Sequence, residues 1–75
     1  MSITDIMIHI NESLSEEART SLEDAMRKVE GVVSPRFNAG KQHLLMITFD
    51  PKKTKAAVLL EMTRAAGYTA QLVSM

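Results

Sequence analysis

Apolar residues recur along this chain with two periods, and the alternation between them lays out a succession of strands and helices. In Ile6-Met7-Ile8-His9-Ile10, isoleucine occupies every second position, which is the period of a strand whose Met7 and His9 point to the opposite face. Downstream, Ala18, Leu22, Ala25, Met26 and Val29 recur at three- and four-residue steps, so a helix with one apolar stripe is expected. Ser13 and Glu16 have the spacing of a capping box, with Ser15 as an alternative N-cap. Glu16 and Glu17 suit the positive end of the helix dipole. Glu23 with Arg27 and Asp24 with Lys28 are spaced for i,i+4 pairs on the outer face, and Gly31 is expected to close the helix.

The second half repeats the scheme. Val32 to Asn38 alternates less cleanly and contains Pro35, whose missing N–H confines a strand to a sheet edge or a bulge. Ala39-Gly40-Lys41-Gln42 turns the chain into Leu44-Leu45-Met46-Ile47-Thr48-Phe49, a hairpin partner with Leu45, Ile47 and Phe49 on one face. After Asp50-Pro51, Thr54 is expected to cap a second helix in which Leu59, Met62 and Ala66 keep helical spacing, flanked by Val58 and Ala65, with Gly67 ending it. Thr69 to Val73 makes a fourth strand. The order β-α-β-β-α-β predicts an α+β, ferredoxin-like sandwich, a four-stranded antiparallel sheet with two helices on one face. Right-handed crossovers then put strands one and three in the centre and strands two and four at the edges.

Composition narrows the function classes. A chain of 75 residues has room for one core, so residues 1–75 are read as a single domain. It contains no cysteine, which removes disulfides and every cysteine-ligated metal site and leaves good packing or a dimer to stabilise so small a unit. Nine basic residues balance nine acidic ones, so no overall charge draws the chain to nucleic acid or anionic lipid. No apolar run approaches the ~20 residues that span a bilayer, so no membrane insertion is expected. Met1-Ser2-Ile3-Thr4-Asp5 lacks the basic start of a secretory leader, and a cytoplasmic location is expected.

Three short stretches carry a family resemblance: Gly31-Val32 after the first helix, Thr48-Phe49-Asp50-Pro51 after the third strand, and Ala65-Ala66-Gly67-Tyr68 after the second helix. In this order and spacing, the chain from Ile6 to Val73 resembles the heavy-metal-associated domain, and Pro35-Arg36-Phe37-Asn38 falls where that family's second strand usually reads Val-x-Val-Asn. Members of the metallochaperone and transport-ATPase kind bind copper(I) or zinc through Met-x-Cys-x-x-Cys after strand one. The resemblance puts those two cysteines at Ser15 and Ala18. A serine hydroxyl does not ionise as a ligand and alanine has no donor, so a soft ion that selects sulfur finds nothing there. The chain therefore reads as a degenerate member without the family's metal chemistry, in which the loop Ser13, Ser15, Glu16, Glu17 and Ala18, together with Tyr68, keeps the partner-facing surface.

Two further constellations bear on function. Met7 and His9 share a strand face, and Met46 stands on the matching face of strand three; thioether and imidazole donors can hold copper or another soft ion. The same residues with Leu44 equally make a half-apolar sheet face suited to a protein partner or a homodimer, and this is the reading adopted, with no cofactor. Lys52, Lys53 and Lys55 crowd the start of helix two, a solvated cluster that also offers an anion a place. RNA-recognition modules share this topology but stack bases on aromatics of the two central strands; strand one here has none and Phe49 has core parity, so nucleic acid is not expected. His9 and His43 have no evident nucleophile or acid partner, and no enzyme is expected.

Overall fold

The computed structural model describes residues 2–73. Its elements run β1 (Thr4–Ile10), α1 (Glu16–Arg27), β2 (Val32–Asn38), β3 (Lys41–Phe49), α2 (Ala56–Ala65) and β4 (Ala70–Val73). The four strands form one antiparallel sheet in the order β2-β3-β1-β4. This is the ferredoxin-like arrangement, with the first and third strands central and Pro35 on an edge strand.

Alternation builds the core directly. Ile8 and Ile10 of β1 face the same side as Leu45, Ile47 and Phe49 of β3, and these meet Leu22 and Met26 of α1 and Leu59 of α2 in one cluster. Ile8, Ile10, Met26, Leu45, Ile47 and Leu59 are fully buried, so each contributes about 1.5–3 kcal/mol of burial before entropy is subtracted. Ala25 and Ala66, expected on the apolar stripes, are exposed instead. Ala25 lies off the narrow face that α1 turns to the sheet, marked by Leu22 and Met26, and Ala66 lies past the end of α2, at its C-cap.

Local signals at the helix ends are partly redirected. Ser15, not Ser13, caps α1: its Oγ accepts from the Ala18 N–H at 3.1 Å. Arg27 pairs with Asp24 at 2.8 Å, one helical turn away, and Glu23 leaves the expected pair with Arg27 to accept from the Phe37 N–H at 2.9 Å. Helix α1 ends at Arg27 with Lys28 as its cap, before Gly31. Gly31, at φ +99°, serves the next turn instead, where an added Cβ would lie 2.7 Å from the Lys53 Cβ. Thr54 does not cap α2; it is buried, and Lys55 stands at the N-cap without a side-chain hydrogen bond. The Asp50 carbonyl holds the N–H groups of Lys53 and Thr54 in a turn that uses Thr54 before the helix starts. Gly67, at φ +100° just after the Ala66 cap, closes α2 as its sequence position predicts.

Candidate functional site

Antiparallel pairing brings the end of β1, the start of β3, the first turn of α1 and the α2–β4 turn to one end of the molecule. Side-chain and backbone bonds join them. The Asn11 N–H donates to the Thr69 carbonyl at 2.9 Å, and the Glu12 carboxylate accepts from the Thr69 N–H at 2.8 Å. That backbone N–H holds the Glu12 carboxyl below the usual carboxylate range, because a donor aimed at a carboxylate favours its charged form. Arg19 ties the loop to the hairpin, donating to the Leu14 carbonyl at 2.7 Å and to Gln42 Oε1 at 3.3 Å.

The residues of the expected interaction loop divide among three shallow depressions. Ala18 and Tyr68 line one together with Ser21, Leu22, Ala25 and Ala66. Ser15, Glu16 and Glu17 line a second with Thr20 and Ser21, on the outer side of the first helical turn. Ser13 borders a third with Leu14 and the residues from Gly40 to His43. The Ser15 hydroxyl, committed to the Ala18 N–H, is a structural cap, and Ala18 brings only a methyl.

On the sheet face away from the helices, Met7 and Met46 are direct cross-strand partners, and His9 lies opposite Leu44. Cross-strand partners of this kind hold their Cβ atoms about 4.5–5.5 Å apart, so the two thioethers share one patch. His9 Nδ1 is buried and meets no hydrogen-bond partner among the described residues. The His9 ring lies nearly parallel to His43, with centroids 5.8 Å apart and an interplanar angle of 18°, and His43 Nδ1 lies 2.7 Å from the Ile10 carbonyl oxygen. A ring nitrogen so placed donates its proton to the carbonyl. Among the described residues, no three histidine, aspartate or glutamate side chains gather as a metal site, and no helix is long and apolar enough to cross a membrane.

Four participants were not singled out from the sequence. Glu12 and Thr69 are joined across 57 positions with no periodic signal, and Arg19 and Gln42 look like ordinary surface residues. His43 follows the core parity of β3, next to the Leu44 that pairs with His9, and its ring nonetheless lies along that of His9.

Comparison with known structures places this geometry. MerP from Ralstonia metallidurans CH34, in its oxidised form, superposes with a TM-score of 0.84 at 22% identity over 97% of this chain and 100% of that one. A copper-binding domain from a P-type ATPase gives a TM-score of 0.82 at 23% identity, covering 93% of each chain. The N-terminal domain of a potential copper-translocating P-type ATPase from Bacillus subtilis, solved in its Cu(I)-loaded state, gives 0.84 at 20% identity over 95% of this chain and 88% of that one. No family model matches the sequence, and no curated protein does. The chain has the fold of these domains and contains no cysteine.

Proposed function

We propose that this chain is a degenerate heavy-metal-associated domain that acts as a non-catalytic, cytoplasmic adaptor, meeting a protein partner at the end built from Ser13, Ser15, Glu16, Glu17, Ala18 and Tyr68. One observation carries this reading: the loop is firmly assembled yet offers no sulfur ligand, since Ser15 and Ala18 stand at the cysteine positions, the Ser15 hydroxyl is spent on the Ala18 N–H and Asn11 and Glu12 are both fastened to Thr69. Order without thiolates suits recognition by shape and leaves no sulfur for the transfer of a soft ion. The two histidines support a non-catalytic role, because His43 bonds a backbone carbonyl and His9 Nδ1 bonds none of the described residues. Neither is poised against an acid or a nucleophile.

A photo-crosslinking residue placed at Ser13 tests the reading in cells, with the same residue at Lys52 as a control at the other end. A discrete adduct from Ser13 and none from Lys52 is the expected result. Equal labelling from both ends, or none from either, would sink it.

A second reading is favoured by the unpartnered His9 Nδ1 beside the Met7–Met46 pair: a soft ion such as copper(I) held weakly by Met7, His9 and Met46. Titration of the labelled protein with copper(I) and with zinc under reducing conditions, followed by two-dimensional NMR, separates the readings. Saturable shifts centred on these three residues, lost in His9→Ala and weakened in Met7→Leu, support the ion. Their absence leaves the adaptor.

A further inference from the structure

The two edges of the sheet are finished in opposite ways. On β2, Pro35 has no N–H to offer, and two residues on, the outward N–H of Phe37 is taken by Glu23 Oε2 at 2.9 Å. Register irregularities between Val32 and Ser34 and between Phe37 and Asn38 distort the same strand. Proline, bulges and a covering acid are the devices by which a sheet edge refuses another strand.

Among its described residues, strand β4 carries neither proline nor bulge, and the side chain that does reach its edge, Arg64, engages a single carbonyl. In an antiparallel ladder the backbone groups of successive residues point to alternate sides. The Thr69 carbonyl accepts from the Asn11 N–H, so Gln71 and Val73 also turn toward β1, opposite His9 and Met7. Ala70 and Leu72 therefore point outward, where β4 ends the strand order. The Ala70 carbonyl accepts from Arg64 Nε at 3.2 Å, which agrees with that orientation and leaves its second lone pair for a strand. The sequence Ala70-Gln71-Leu72-Val73 has no charge, and the Leu72 side chain is 46% exposed.

We infer that β4 is a homodimer seam, in which it pairs antiparallel with β4 of a second copy about a two-fold axis at Gln71, joining the two sheets into one. The inference goes beyond the adaptor reading: it gives the β4 edge, apart from the Ser13 loop, a partner of its own, a second copy of this chain. The two-fold sets Ala70 against Leu72 of the second copy and Leu72 against its Ala70, so the outward N–H and C=O groups of both residues are paired. A small side chain then faces a large one at each position. Gln71 meets its own copy on the open face, where an amide both donates and accepts; a charged residue there would oppose itself. That self-complementarity is what an isologous interface demands, and a segment without charge offers no counter-charge that would favour a charged strand of another protein.

Sedimentation equilibrium of the full chain from micromolar to millimolar concentration tests the seam. The expected mass rises toward about twice the 8.3 kDa of the single chain. Leu72→Pro removes an N–H that the monomer's own ladder does not use, so the variant should keep its amide NMR spectrum and remain monomeric. Leu72→Lys, which leaves the backbone intact and adds a charge to the edge, should also remain monomeric and decides the matter if the proline variant does not fold. A wild-type chain that stays monomeric throughout, or variants that dimerise like wild type, overturn the seam. A monomer that still gives the Ser13 adduct rejects the seam and keeps the adaptor, whereas a β4 dimer without that adduct does the reverse.

Discussion

The two faces of the sheet come from the same strands and the same alternation, yet they are chemically unlike. Toward the helices stand Ile8, Ile10, Leu45 and Ile47, all fully buried, with no polar atom to satisfy. Away from the helices stand Met7, His9, Leu44 and Met46, each only partly covered, beside a hydrogen bond of 2.6 Å from the Thr48 hydroxyl to Asp5. The closed face is rigid and single-purpose. The open face mixes flexible thioethers with the His9 imidazole, whose buried Nδ1 meets no partner among the described residues, a composition unlike that of a packed core. The contrast shows that a period-two pattern specifies two faces but gives stability to only one of them.

Adjacent residues of β3 test this contrast most severely. Ile47→Ala should cost about 2–5 kcal/mol, read as a lower midpoint in urea, while Met46→Ala should cost less than about 1 kcal/mol. Equal losses would mean that the open face is already closed, as in a tight dimer. The helical cover can be loosened next: Ser15→Ala removes the α1 cap and should cost about 1 kcal/mol, whereas Ser13→Ala should change stability little, because Ser13 makes no capping bond in the structure.

A smaller effect of opposite sign is expected at His9. His9→Phe replaces a buried ring nitrogen without a partner by carbon, so stability should hold or rise by up to about 1 kcal/mol. A clear loss would show that Nδ1 has a partner in solution, and a metal titration would then be the next step. The mildest test concerns the loop that borders both faces. Because the Thr69 N–H lowers the Glu12 carboxyl, the contact contributes above the ordinary glutamate range and is lost as pH falls through the depressed value. The Thr69 amide shift followed from neutral to acid should therefore titrate below the ~4.3 of an unperturbed glutamate, and Glu12→Gln should abolish that step.

Much of the molecule was legible before its structure. Alternating Ile6, Ile8 and Ile10 and the set Leu45, Ile47 and Phe49 predicted strands with one buried face, and both central strands carry those residues inward. Pro35 predicted an edge and β2 is one. Capping was read less well. Ser13, Ser15 and Thr54 all offer hydroxyls near a helix start, and which one caps depends on where the preceding turn releases the chain. At Thr54, the turn fastened by the Asp50 carbonyl takes the residue into the core instead. The i,i+4 pairing of Glu23 with Arg27 failed for a similar reason, since the nearby edge strand supplies a better donor in Phe37.

By itself, the sequence determined the order and type of the elements, the side of each that is buried, and the lack of thiolate ligands, because periodicity and residue chemistry are local properties. Tertiary structure alone decided that Glu12 meets Thr69, that His9 lies along His43, and that Glu23 reaches one edge of the sheet at Phe37 while Arg64 reaches the other at Ala70. Each of these contacts depends on where strands and turns distant in sequence come to lie, and no repeating pattern encodes a single bond between residues dozens of positions apart.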